Sequence, residues 1–139
     1  LVLVGNVSEK YKNIIDKDPD LRDTVMPGFI SDEELASWYS IANVFVFPSF
    51  YEGFGLPGLE AMQAGLPVVA SNTSSLPEIY KDAAVYFDPE KPSDMAEKIK
   101  LVLQDKKKAD NLVREGKKVV SQYSWRKTAQ ETLKVYREI

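Results

Sequence analysis

The sequence contains neither cysteine nor histidine. Disulfides, thiolate chemistry and zinc sites of the usual kind are therefore excluded. Any general acid or base on these residues must be Asp, Glu, Lys or Tyr. No apolar run reaches the length of a membrane span, and none of these residues reads as a signal peptide. A strong excess of either charge is also missing. Eighteen basic residues stand against 21 acidic ones, a net charge of −3. That gives no electrostatic case for binding nucleic acid or an anionic membrane surface. The lack of cysteine fits a cytoplasmic setting, which is the expected location. A leading methionine is absent too. The chain starts at Leu1, inside the apolar run Leu1–Val4, and reads as a piece of something longer.

What is present is enough for a core. The chain has 139 residues, 44% of them hydrophobic, about one domain's worth. Such a length buries roughly two-thirds of the unfolded surface.

The sequence is organised around Val44–Pro67. Val44–Phe47 is a short β-branched and aromatic run that reads as a buried strand. Pro48 stops it. A loop with Gly53 and Gly55 follows. A helix then begins with Pro57 in its first turn, ends at Gly65 and cannot continue through Pro67. Strand, glycine loop and helix N-terminus together favour an anion. Free N–H groups and a partial positive charge meet it, and glycine lets a phosphate approach closely. Glu52 before the glycines and Glu60 in the first turns are suited to accept hydrogen bonds from ribose or sugar hydroxyls. A plainer reading stands beside this one. Glu60 complements the helix dipole, worth ~0.3–1 kcal/mol, and the glycines shape a turn. Spacing alone leaves both open.

The quoted pieces resemble a known family. Pro48-Ser49, Glu52-Gly-Phe-Gly-Leu-Pro57, Glu60-Ala-Met62 and Gly65-Leu-Pro-Val-Val-Ala-Ser71 look like the signature of retaining group-one glycosyltransferases of the GT-B fold. Glu52 and Glu60 match that family's Glu-x7-Glu motif. Gly28–Leu35, Ser75-Leu-Pro-Glu78 and Phe87-Asp-Pro89 resemble its flanking segments in the family's order.

Around this centre, strands are expected at Leu1–Val4, Thr24–Met26, Leu66–Ala70 and Ala84–Phe87. Pro27-Gly28 is expected to turn the chain. Helices are expected at Glu9–Lys17, with Tyr11, Ile14 and Ile15 on one face, and from Ser31, with Glu34 completing a capping box. Leu35, Trp38, Tyr39 and Ala42 give the buried stripe of that second helix. Ser75–Tyr80 is a helical turn with Ser75 and Glu78 as another box. Pro92–Gln104, Lys107–Ser121 and Trp125–Glu138 close the chain. Asp105–Lys108 reads as a solvated junction. Asn6-Val-Ser8 and Asn72-Thr-Ser74 read as chance glycosylation sequons. Trp38 and Trp125 read as core, and Tyr123, Trp125 and Tyr136 as packing for the last helix. Short strands alternating with helices, apolar on both faces, argue an α/β doubly wound parallel sheet. Its ligand edge would be built by Ser49–Leu56, Phe29-Ile30 and Ser71-Asn72.

The resemblance implies one Rossmann-like, nucleotide-sugar-binding C-terminal domain, 1–139, incomplete and lacking its first strand. It would have Leu1–Val4 as strand 2 and Val44–Phe47 as strand 4, with upstream chain between them. The resemblance further implies retaining transfer from a nucleotide-diphosphate sugar. Glu60 would hold the ribose, and Glu52 would be the catalytic residue beside the donor sugar, stabilising an oxocarbenium-like transition state by charge or orienting the sugar through its hydroxyls. Ser49 and the loop Gly53, Phe54, Gly55 and Leu56 would bind the donor, and Phe29 and Ile30 would line the base. No metal or other cofactor is implied. The acceptor, a sugar, lipid or glycan, and any membrane contact would belong to a missing N-terminal domain. These residues alone are expected to be inactive. Two alternatives are a nucleotide-sugar-binding module without transfer and a flavodoxin-like interaction domain.

Overall fold

The computed structural model of the protein describes residues 1–138. It forms two compact units, Leu1–Trp38 and a larger one beginning at Tyr39. In the first, β1 (Val2–Val4) lies parallel to β2 (Val25–Gly28), pairing Val2 with Val25 and Val4 with Gly28. Between them run α1 (Glu9–Lys17) and a 3₁₀ turn, Pro19–Leu21. β2 takes in Pro27 and Gly28, which were expected to turn the chain. Pro27 has no N–H to lose at a strand paired on one side only, and the Gly28 carbonyl accepts from the Gly5 N–H at 2.9 Å. Along α1 the expected apolar face is shallow: Ile15 is half-buried, whereas Tyr11 and Ile14 are exposed.

α2 (Asp32–Ile41) starts with the expected reciprocal cap. The Glu34 N–H donates to Ser31 Oγ at 3.2 Å, and the Ser31 N–H donates to Glu34 Oε2 at 2.9 Å. Two orphan donors are thereby satisfied. Leu35, Trp38 and Tyr39 are half-buried. Ala42 is exposed and lies beyond the helix, so it does not extend the stripe.

The larger unit holds a parallel sheet in the order β3 (Phe45–Phe47), β4 (Val68–Ser71), β5 (Ala84–Phe87). Register runs Phe45 to Val68 to Ala84, then Val46 to Val69 to Val85. Leu1–Val4 and Val44–Phe47 thus contribute to different sheets. Because side chains alternate across a strand, β4 feeds two cores. Val68 and Ala70 pack with Leu59 and Met62 of α3 (Leu56–Gln63) and with Leu76, Ile79 and Tyr80 of α4 (Leu76–Tyr80). Val69, between them, packs on the opposite face with Phe87, Val102 of α5 (Pro92–Gln104) and Leu112 of α6 (Lys106–Val120). All four β4 residues are buried, as a strand covered on both faces requires. Each fully buried aliphatic or aromatic side chain stabilises by about 1.5–3 kcal/mol. The expected α/β architecture with parallel strands is what the chain adopts.

Helix ends follow local chemistry. α3 closes in a Schellman motif: Leu66 N–H to the Ala61 carbonyl, 2.9 Å, and Gly65 N–H to the Met62 carbonyl, 3.1 Å. Gly65 supplies the positive φ, +88°, that this cap needs. Asp105 caps α6 by accepting from the Lys108 N–H at 3.0 Å. The box expected from Ser75 and Glu78 does not form: Ser75 has a helical backbone, φ −77° and ψ −14°, rather than the extended one a cap needs, and its hydroxyl donates to the Glu52 carbonyl. α7 (Trp125–Glu138) is exposed along its length, Trp125 by 77% and Tyr136 by 72%. Neither is core. Of the three aromatics expected to hold this helix, only Tyr123, which precedes it, packs, against Phe54.

Candidate functional site

Two loops follow the carboxyl ends of neighbouring strands, and hydroxyls tie them together. Beyond the β3–β4 ladder, residues 71–75 run beside residues 47–52. Ser71 Oγ donates to the Phe47 carbonyl at 3.3 Å and Thr73 Oγ1 to the Ser49 carbonyl at 3.2 Å. Ser74 Oγ and Ser75 Oγ both donate to the Glu52 carbonyl, at 2.6 and 3.0 Å. The Glu52 N–H donates back to Ser74 Oγ at 3.3 Å. Side chains thus take over where the backbone ladder ends.

Glu52 is half-buried at the end of this seam. Ser49 Oγ lies 2.8 Å from Glu52 Oε1 and 3.3 Å from the Tyr51 carbonyl. With one proton to give, it donates to the nearer, charged oxygen. Ser49, expected to bind the donor, is therefore engaged in fixing the Glu52 carboxylate. Among the described residues nothing donates to Oε2.

The glycine loop carries the donors. Gly53 is exposed, and a Cβ there would meet open space. Phe54 stacks edge-on against Tyr123, with centroids 5.3 Å apart at 84°. Gly55 is the N-cap of α3, with φ +87°, and Leu56 is the first helical residue. Among the described residues, none of the N–H groups of Gly53, Phe54, Gly55 and Leu56 has a hydrogen-bond partner. Pro57 has no N–H, and the Gly58 N–H turns back to the Gly55 carbonyl at 3.2 Å. Unpaired main-chain donors in succession at a helix N-terminus form an anion-accepting surface.

Tyr80 holds that loop from below. Its side chain is fully buried, and its hydroxyl donates to the Gly55 carbonyl. Burial pushes its ionisation well above the ordinary phenol range; the nearby charge of Glu52 adds to this, while a backbone hydrogen bond at Gly58 opposes it. Glu60 is exposed on α3, one turn after Leu56 on the same face. Side chains on a helix lean toward its N-terminus, which on α3 is the loop end. Tyr39 is raised to about 12, by burial first and then by the charge of Glu60.

The structure thus brings Ser49, Glu52, Gly53, Phe54, Gly55 and Leu56 together beside Ser71–Ser75, with Glu60 on the adjoining helix. Phe29, 87% exposed, and Ile30, half-buried, directly follow β2 in the smaller unit. Sequence reasoning missed Thr73, Ser74, Ser75 and Tyr80. The hydroxyl run was the available signal, but Thr73 and Ser74 fall in the expected chance sequon and Ser75 in the expected capping box. Among the described residues no cluster of three or more acidic side chains forms a metal site. No helix there is long and apolar enough to cross a membrane.

The family model for glycosyl transferases group 1 matches residues 1–119. The chain belongs to the group 1 glycosyl transferases. This transferase sequence is 42% identical over 110 residues to the O-antigen chain mannosyltransferase B of Escherichia coli, covering 79% of the chain and 29% of that protein. It is 38% identical over 107 residues to a D-inositol 3-phosphate glycosyltransferase of Paenarthrobacter aurescens, covering 76% of the chain and 26% of that protein. The chain therefore spans under a third of the length of these curated relatives. Among solved structures it resembles sucrose-phosphate synthase of Thermosynechococcus elongatus, with TM-score 0.87, 30% identity, and coverage of 99% of the chain and 38% of the synthase. It shares the fold of Anabaena HepE, solved with UDP and glucose, with TM-score 0.84 at 19% identity, over 99% of the chain and 40% of that protein. The α/β arrangement is thus that of a GT-B glycosyltransferase half.

Proposed function

We propose that this chain is the donor-binding part of a retaining glycosyltransferase that uses a nucleotide-diphosphate sugar. The reading rests on one observation above the others: four successive main-chain N–H groups, Gly53–Leu56, stand without partners between two carboxylates. The diphosphate would take those donors. Glu60 would accept from the ribose hydroxyls, and Glu52 would lie beside the sugar. No Lys or Arg occurs between Arg22 and Lys81, so the loop meets negative charge by dipoles rather than by a cation of its own segment. The acceptor, a sugar, lipid or glycan, would be held by a partner domain, and the isolated residues would be inactive. No metal is assigned a role.

At Glu52 the chemistry is electrostatic. Charge develops on the anomeric carbon as the diphosphate leaves, and a fixed carboxylate stabilises it without reorganising. Glu52→Gln in the complete transferase keeps the shape and removes the charge. The expected result is a fall in kcat of tenfold or more with donor KM changed less than threefold. A change confined to donor KM would make Glu52 a binding residue. Calorimetric titration with nucleotide sugars tests the donor class itself.

A further inference from the structure

We propose that Ser74 is a positioning residue that fixes the main chain of Glu52 and thereby sets where its carboxylate meets the donor sugar. This rests on the reading of Glu52 given above. Ser74 Oγ accepts from the Glu52 N–H at 3.3 Å and donates to the Glu52 carbonyl at 2.6 Å. One side chain therefore grips both polar atoms of the same residue, 22 positions away. Ser75 Oγ adds a second donor to that carbonyl at 3.0 Å, which fills both of its lone pairs. Two constraints follow: the main chain is held by Ser74 and Ser75, and the carboxylate by Ser49.

The backbone of Ser74 points the same way. Its φ is +55°, in the left-handed region that side chains other than Gly, Asn and Asp rarely adopt. A glycine would hold this turn without strain. The serine gives up that ease, and what it contributes in return is the hydroxyl on Glu52. Strain at a site is the observation from which a functional role is inferred. Ser74 is exposed and joins neither core cluster, so packing does not explain it. A displacement of a reacting group by about 1 Å lowers turnover by up to about 100-fold.

Two variants of the complete transferase separate positioning from simple structure. Ser74→Ala removes the hydroxyl and keeps the strain. Ser74→Gly removes both. Each should lower kcat by tenfold or more, leave donor KM within threefold and leave affinity for a nucleoside diphosphate lacking sugar unchanged. Ser74→Gly should also melt at or above the wild-type temperature, whereas Ser74→Ala should melt below it. A wild-type kcat in Ser74→Gly overturns the proposal, because relief of strain would then have restored all that mattered. So does a loss seen equally in nucleoside diphosphate affinity. Absence of sugar transfer by the wild-type enzyme would instead remove the functional reading and this role with it.

Discussion

Gly58→Ala is the substitution in which two familiar effects oppose each other, and the structure decides between them. Gly58 lies in the first turns of α3. On propensity alone, alanine in a helix gains about 1 kcal/mol over glycine. Here the added Cβ would lie 2.9 Å from Cε2 of Tyr80 and closer still to its Cζ and hydroxyl. Tyr80 has no room to yield: it is fully buried among Leu59, Met62, Leu76 and Ala83, and its hydroxyl is bound to Gly55. Overpacking costs roughly 1–3 kcal/mol, occasionally more, and a ring pinned at its hydroxyl end belongs at the upper part of that range. The net expectation is a destabilisation of about 1–2 kcal/mol. Urea denaturation should show a lower midpoint at an unchanged slope. In the double variant Gly58→Ala with Tyr80→Ala, the penalty for Gly58→Ala should disappear, a coupling that contact residues show and distant ones do not. A Gly58→Ala protein as stable as wild type, or more so, would refute the account of why α3 and α4 carry these residues.

Gly53→Ala should give the opposite pattern. Its Cβ meets open space and its φ is not left-handed, so stability should hold within about 0.5 kcal/mol. Nucleotide-sugar affinity should fall in calorimetry, because a methyl group would stand where the ligand approaches; unchanged affinity would place the diphosphate elsewhere. Alkaline pH should also unfold the protein in a predictable window. Burial raises Tyr39 and Tyr86 to about 12 and Tyr80 further, against an ordinary phenol value near 10. The folded state therefore favours the neutral phenols. Their stabilisation is complete below pH 10 and is lost as pH rises through 10 to 12 and beyond. The thermal midpoint should drop across that range, and less steeply in Tyr86→Phe than in wild type.

Much of this was legible in the sequence because local rules and tertiary demands agree. Pro57 and Gly65 bracket α3, Ser31 and Glu34 cap α2, and Val68–Ala70 is apolar at every position because helices cover both faces of β4. The misses fall where a tertiary partner outbids a local one. Ser75 has the spacing of a capping box, yet its backbone is drawn into a helical rather than an extended conformation and its hydroxyl donates to Glu52, a residue 23 positions earlier. Pro27 and Gly28 have turn chemistry but complete β2. Trp125 and Tyr136 have core composition and core spacing, yet both are exposed, since periodicity gives a face without saying what covers it. At the candidate site, Glu52, Glu60 and the glycines were readable as a pattern. The grip of Ser74 on Glu52 was not, because a parallel strand and a helix separate the two in sequence. Nor was the brace of Tyr80 on Gly55, which joins one helix N-terminus to the far end of another helix.

The central claim is that this loop and helix hold a nucleotide diphosphate, with Glu60 on the ribose. Calorimetric titration of the complete transferase with a nucleoside diphosphate lacking sugar, wild type against Glu60→Ala, tests it most directly. A lost hydrogen bond to a charged acceptor costs about 1.5–3 kcal/mol, so the dissociation constant should rise roughly 10- to 150-fold, with the 2′-deoxy nucleotide penalised far less by the substitution. Equal affinity in the two proteins would remove Glu60 from the ribose, and no binding to either would contradict the account as a whole.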